Sequence, residues 1–366
     1  MIRADALCND IMEKWFSQKR EGYFQLEKYT EKQVFHEKLT QDQAQSFLCN
    51  ALQEHFRQYN GWDTSREYQI RISAKGRVLC SRKAIPNQAP RAVQSHNRKK
   101  RYLLEEGMVI QPLVDLGIFT KEGKVIHAMY DKYKQINRFL EMVDDVSDNL
   151  PRQRPLRVID FGCGKSYLTF ILYYYLTVIK KREVQMVGLD LKADVIEKCN
   201  QTARKYGYDG LHFELGDING YQLAGEVDLV ITLHACDTAT DYALFNAVSW
   251  GARVILSVPC CQHELNGQIQ SEQFSILTRY GIVKERAAAL MTDAIRANLL
   301  ECCGYKTQLL EFIDLAHTPK NILIRAVKRA PSQKAPAGVL EETESLMEEF
   351  LLHPTLYRLL KEAGRI

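Results

Sequence analysis

The chain has 366 residues, 46% of them hydrophobic and 26% charged, a balance expected of a globular chain with room for two cores. No apolar run reaches the roughly 18 residues that a membrane span needs, and the start, Met1-Ile2-Arg3-Ala4-Asp5, lacks the apolar stretch of a secretory signal. Ten scattered cysteines, including two adjacent pairs, fit reduced thiols in the cytoplasm better than a disulfide framework.

In chain order, Ala6, Ile11, Met12, Trp15 and Phe16 have helical spacing, which predicts a terminal helix over residues 1–18. Residues 23–29 and 32–36 alternate as strands do. Thr40 is placed to cap a helix running to about Tyr59, and residues 67–73 and 77–82 alternate again. Together they predict a smaller N-terminal α+β domain over residues 1–94. Net charge is only +4, but between Arg71 and Arg101 there are ten Lys/Arg and no Asp or Glu, an electrostatic footprint for a polyanion. Tyr68, Ile70 and Ile72 share one face of their strand and Arg71 takes the other, which predicts a sheet with a basic outer face.

Residues 95–150 read as a helical connector. It opens on Arg98, Lys99, Lys100 and Arg101, the candidate RNA contacts, and carries a helix over residues 132–143. Pro151 and Pro155 mark the boundary of the next domain, over residues 151–329.

That domain begins with a short buried strand ending in Asp160-Phe161-Gly162-Cys163-Gly164, followed by an apolar helical stretch over residues 167–179. A nucleotide phosphate loop needs glycine where Ile159 stands, and the dinucleotide pattern needs one where Tyr167 stands. What remains is a strand-end acid with two glycines. Asp160 would repel a pyrophosphate and suits a cofactor carrying an ammonium group, S-adenosylmethionine (SAM). Gly162, Gly164 and Lys165 complete that turn.

Strands over residues 184–189 and 211–215 end in Asp190 and in Gly216-Asp217, with a helix over residues 193–206 between them. Asp190 is placed for both ribose hydroxyls of an adenosine, and Asp217 for its adenine amino group. A fourth strand, over residues 227–233, leads into His234, Cys236, Asp237 and Asp241. A fifth, over residues 252–258, leads into Cys260, Cys261 and His263. A helix over residues 292–302 and two strands, over residues 308–314 and 321–327, follow. If the last strand runs back, the turn holding Lys320 lies at the same edge. Residues 330–366 are read as a linker and a C-terminal helix over residues 341–363.

The three elements Asp160-Phe161-Gly162-Cys163-Gly164-Lys165, Leu233-His234-Ala235-Cys236-Asp237-Thr238-Ala239-Thr240-Asp241 and Val258-Pro259-Cys260-Cys261-Gln262-His263 together resemble the class I SAM-dependent methyltransferases. More narrowly, they are similar to a branch of bacterial proteins with eukaryotic methyltransferase-like relatives, and to the eukaryotic tRNA acceptor-stem 2′-O-methyltransferases. Residues 95–102 and 135–140 also look like the bacterial branch, while Ser166 departs from the glycine-rich turn of many members of the wider class. The resemblance covers residues 156–328. It implies a Rossmann-like seven-stranded sheet with an antiparallel last strand, SAM as cofactor, and a structured rRNA or tRNA as partner.

A ribose hydroxyl acceptor needs help losing its proton: His234 or Asp237 as base, with Lys320 stabilising the alkoxide. His234 also lies among the cofactor candidates, and pairing with Asp241 is its ordinary structural role. Methylation at a pyrimidine carbon would instead use a thiolate, for which Cys260 stands as candidate beside the plainer reading of packing cysteines. No metal is expected, because adjacent cysteines rarely supply two ligands of one tetrahedral zinc. The competing classes are a protein or small-molecule methyltransferase and a non-catalytic SAM-binding ribosome-assembly factor.

Overall fold

The computed structural model describes residues 2–5, 14–20, 23–29, 33–54, 57–62, 66–73, 76–84, 102–164, 167–221, 225–233, 235–312, 322–330, 332–333 and 336–366. Contacts divide the chain into two units, Met1–Lys100 and Arg101–Ile366.

The first unit holds β1 (Ile2–Asp5), β2 (Lys14–Arg20), β3 (Tyr23–Tyr29), β4 (Val34–Leu39), α1 (Gln41–Glu54), β5 (Gln58–Trp62), β6 (Arg66–Ile72) and β7 (Val78–Ala84). The strands form one antiparallel sheet in the order β4-β3-β2-β1-β5-β6-β7. The terminal helix expected over residues 1–18 is not what forms: β1 and β2 pair with each other and with β5 and β3, and ladder hydrogen bonds override a weak helical spacing. Helix α1 starts where Thr40 predicts. The Gln43 amide donates to Thr40 Oγ1 at 3.3 Å and the Thr40 amide to Gln43 Oε1 at 2.8 Å, a reciprocal capping box. Arg82 lies opposite Tyr68, whereas Arg71 lies opposite Leu79 and Lys83 opposite Glu67. Exposed basic side chains therefore stand on both faces of this hairpin, not on one outer face as the alternation of a single strand suggested.

The second unit begins with α2 (Gln111–Asp115) and α3 (Tyr130–Asp145), then alternates β8 (Leu156–Phe161), α4 (Tyr167–Tyr174, continued by a π-helical turn over Tyr175–Ile179), β9 (Val184–Asp190), α5 (Ala193–Tyr206), β10 (Leu211–Leu215), β11 (Leu229–Thr232), α6 (Thr238–Ser249) and β12 (Val254–Ser257). Helices α7 (His263–Gln268), α8 (Ser275–Thr278) and α9 (Gly281–Cys302), strands β13 (Tyr305–Glu311) and β14 (Ile322–Lys328), and helices α10 (Val339–Glu349) and α11 (Thr355–Glu362) complete it. The sheet order is β10-β9-β8-β11-β12-β14-β13, with β14 antiparallel to both neighbours. This is the seven-stranded class I methyltransferase sheet.

Alternation along each strand sends side chains into two cores. Val158, Met186, Ile231 and Leu256 pack with α3, α4 and α5, while Ile159, Val230, Ile255 and Ile324 pack with α6, α9, α10 and α11. Residues 102–150 share the first core and α10 and α11 the second, so both belong to the same unit as residues 151–329. The anchor of the former is specific: the Leu104 amide donates to Asn137 Oδ1 at 2.9 Å, and the Tyr133 hydroxyl donates to the Leu104 carbonyl at 2.6 Å. The C-terminal helix breaks in two because Pro354 disfavours helical backbone at His353, and Leu351 sits at φ +53°.

Gly188 faces Asp160 across β8 and β9. A Cβ there would lie 2.5 Å from Cδ1 of the buried Phe213 ring. Gly188→Ala is expected to cost about 1–3 kcal/mol by overpacking, read as a lowered urea midpoint with an unchanged slope.

Candidate active site

Strand β8 sits where the sheet order reverses, between β9 and β11, and ligands of such sheets bind in the crevice outside that switch point. The turn after β8 depends on Gly162 and Gly164 at φ +68° and +50°, backbone that a Cβ would strain. It is stitched to β9: the Gly162 and Cys163 amides both donate to the Leu189 carbonyl, at 2.9 and 3.1 Å. The Gly164 amide donates to Asp190 Oδ2 at 2.9 Å, and the Lys192 amide to Asp190 Oδ1 at 3.0 Å. One step further along the edge, the Gly216 amide donates to the Asp190 carbonyl at 3.2 Å.

Asp160, Asp190 and Asp217 thus stand at the ends of three neighbouring strands, β8, β9 and β10, within about 10 Å across the sheet. Their environments differ. Asp160 is 5% exposed and accepts from the Thr169 hydroxyl on α4. Burial pushes its carboxyl up to about 7, with the Thr169 bond partly opposing. Asp190 is half-buried. Asp217 is exposed, and its Oδ1 accepts from the Asn219 amide at 3.0 Å. A buried carboxylate with no cation against it among the described residues, beside a glycine turn and a strand-end acid, fits a cofactor that carries positive charge and two ribose hydroxyls.

The loops after β11 and β12 meet at the same edge. The Cys236 and Cys260 sulfurs lie 2.6 Å apart, Cys260 and Cys261 3.9 Å apart, and all three within 4.8 Å of one another. Cys260 is pushed up to about 12, first by burial and then by the Cys236 thiol. A thiolate nucleophile needs the opposite shift, which the Cys260 role anticipated for a pyrimidine carbon would have to supply from elsewhere. His263 is exposed at the start of α7.

Asp237 has φ +53° and ψ −125°, a conformation costly for a side-chain-bearing residue that clusters at functional sites. Its Oδ1 accepts from the Glu264 amide at 3.0 Å, and its carbonyl accepts from Arg296 at 2.9 Å. Asp241 holds Arg296 through two bonds, at 2.6 and 3.1 Å, and its expected pairing with His234 lies outside the described residues. Arg296 is 2% exposed and also meets Asp293, which accepts from Gln262 at 3.1 Å. Sequence reading overlooked this arginine. Its signal was an Asp293–Arg296 pair spaced onto the same side of α9 as Leu299 and Leu300. Three buried polar atoms, Thr232 Oγ1, Ser257 Oγ and Gln262 Oε1, lack a partner among the described residues at these same strand ends.

Lys165, His234, Lys320 and the four basic residues Arg98, Lys99, Lys100 and Arg101 lie outside the described residues. Among the described residues, no helix is long and apolar enough to cross a membrane.

Residues 131–268 match a family model described as a methyltransferase domain. No curated protein sequence matches the chain. Among solved structures, the citrinin polyketide synthase CMeT domain is 16% identical over 54% of this chain and 54% of its own, with a TM-score of 0.36. Magnesium protoporphyrin IX methyltransferase (ChlM) from Synechocystis PCC 6803 with bound SAH is 18% identical over 57% of this chain and 90% of its own, with a TM-score of 0.34. The 23S rRNA methyltransferase ErmE is 11% identical over 56% and 74%, with a TM-score of 0.33. The chain spans 35%, 54% and 40% of the first three solved structures it matches, and at such scores the likeness says nothing of substrate. Residues 131–268 are thus similar to a methyltransferase domain, and Asp160, Asp190 and Asp217 all lie within that span.

Two outcomes follow from the site. Because the folded carboxyl of Asp160 sits near 7, above its unfolded value, this group favours folding below pH 4 and loses that contribution as pH rises through 7. A cationic cofactor binds the ionised form, so SAM affinity by calorimetry should rise about tenfold from pH 6 to pH 8, and Asp160→Asn should flatten the profile. Arg296→Met strands Asp241 and Asp293 and should destabilise by about 3–5 kcal/mol in denaturant titration.

Proposed function

We propose that the chain transfers the SAM methyl group to RNA, at a ribose 2′-hydroxyl of a structured rRNA or tRNA. The observation that carries SAM use is Asp190, held half-buried at the end of β9 and bonded to the glycine turn. Methyl transfer is an in-line displacement, so alignment and exclusion of water do most of the work.

A hydroxyl acceptor is the reading that the strand-end carboxylate of Asp237 supports. Asp237 is the described candidate for the proton. Oδ1 is committed to the Glu264 amide, and Oδ2 would take the proton as the alkoxide attacks. His234 and Lys320 remain the sequence's candidates for a second base and for the developing charge.

The RNA reading rests on the 31-residue stretch from Arg71 to Arg101 with ten basic and no acidic residues. It ends one residue before Tyr102, in the segment pinned to α3 at Leu104. The likeness of residues 95–102 and 135–140 to the bacterial branch supports the same reading, since Asn137 makes that pin.

Purified protein should transfer labelled methyl to total RNA from a strain lacking this gene, and nuclease digestion followed by mass spectrometry should place it on a ribose. Label in the protein or small-molecule fraction would overturn RNA as substrate, and absence of label with intact SAM binding would favour the assembly-factor class. Asp237→Asn should slow transfer about a hundredfold or more while leaving SAM affinity unchanged. Replacing Arg98, Lys99, Lys100 and Arg101 with alanine should weaken RNA binding and lower the salt slope by up to about four.

A further inference from the structure

The adjacent cysteines after β12 behave differently from adjacent residues in a strand. Strand alternation would send neighbouring side chains to opposite faces, but β12 ends at Ser257 and Pro259 follows. Beyond it the Cys260 and Cys261 sulfurs sit 3.9 Å apart. Cys236, from the loop after the neighbouring strand β11, brings a third sulfur to within 4.8 Å of both. None of the three is in a disulfide.

Both loops are braced by buried groups. Asp237, next to Cys236, accepts from the amide of Glu264, three residues beyond Cys261. Arg296 holds the Asp237 carbonyl from one side, and through Asp293 it holds Gln262, next to Cys261. Rigid support of this kind is what a ligating cluster requires. A packing role for these thiols explains neither the exposure of Cys236 nor the convergence of three sulfurs from two loops.

The geometry points to a zinc(II) site formed by Cys236, Cys260 and Cys261, with no fourth protein ligand among the described residues. A zinc–sulfur bond of about 2.3 Å sets tetrahedral sulfurs about 3.8 Å apart. The Cys260–Cys261 spacing already matches, and the exposed Cys236 must open from Cys260 by about 1 Å. Three thiolates select a soft ion over calcium or magnesium. Zinc binds thiolate, so binding at thiols releases their protons.

The test uses the full chain, reduced and freed of metal, and does not depend on methyl transfer. Titration with Zn2+ should saturate at about one ion per chain and release protons into a weakly buffered solution. Co2+ should give an intense thiolate charge-transfer band and tetrahedral visible bands that Zn2+ bleaches. Cys260→Ser and Cys236→Ser should each lose at least about tenfold in zinc affinity, whereas Cys302→Ser, in the other adjacent pair, should retain it. Should the serine variants misfold by circular dichroism, the cobalt spectrum of the unaltered chain decides alone. Absence of a thiolate–cobalt band, equal zinc binding by all variants, or a Cys236–Cys260 disulfide in place of metal binding would each overturn the site.

Discussion

The structure turns on how one carbonyl and one carboxylate at the end of β9 hold the turn after β8. Leu189 C=O accepts two amides of that turn and Asp190 accepts a third. Backbone with positive φ at Gly162 and Gly164 would otherwise leave these donors unpaired and costly. The same contacts shape the candidate crevice, because they tie the ends of the paired strands β8 and β9 together at the switch point. A change that loosens Asp190 therefore disturbs the fold of the turn as well as the ligand it would hold, which makes Asp190 a poor position for separating structure from function. Asp160 and Asp237 separate them better.

The loops after β11 and β12 are held by a different device, a buried charge cluster. Arg296 is balanced by Asp241 and Asp293; burial raises Asp293 to about 6 while Arg296 opposes the shift. Such a cluster contributes little net stability compared with an apolar equivalent. Its consequence is geometric. A single guanidinium touches the backbone of the loop after β11 and, through Asp293 and Gln262, the loop after β12. Those loops carry Asp237 and the three thiols, so their relative placement is set from beneath by α9.

The legible and illegible parts of the chain divide by range of interaction. Alternation, strand-end acids and glycines are local signals, and the sheet from β8 to β12 with its antiparallel last strand follows from them. Asp160, Asp190 and Asp217 were readable for the same reason. Residues 1–18 misled because the apolar spacing of Trp15 and Phe16 suits either state, and pairing with β3 and β5 decides it. Residues 95–150 and the C-terminal helices looked separate because a core shared with distant strands leaves no local mark. Arg296 was missed because a buried arginine is legible only with its partners, 55 residues away in the case of Asp241. The approach of Cys236 to Cys260 depends likewise on the parallel pairing of β11 with β12.

The charge distribution constrains how a nucleic acid could reach this site. Asp190, Asp217 and Asp237 line one sheet edge, and each phosphate about 10 Å from one carboxylate is repelled by about 0.4 kcal/mol even at the dielectric constant of water. A cationic cofactor offsets part of this, yet the edge itself offers little to hold a polyanion. On the proposed reading, affinity must then come from the acid-free stretch ending at Arg101, and the crevice needs only to admit one nucleotide. Division of labour of this kind predicts steep salt dependence in binding and little in the chemical step, because counterion release belongs to the phosphates and not to the acceptor.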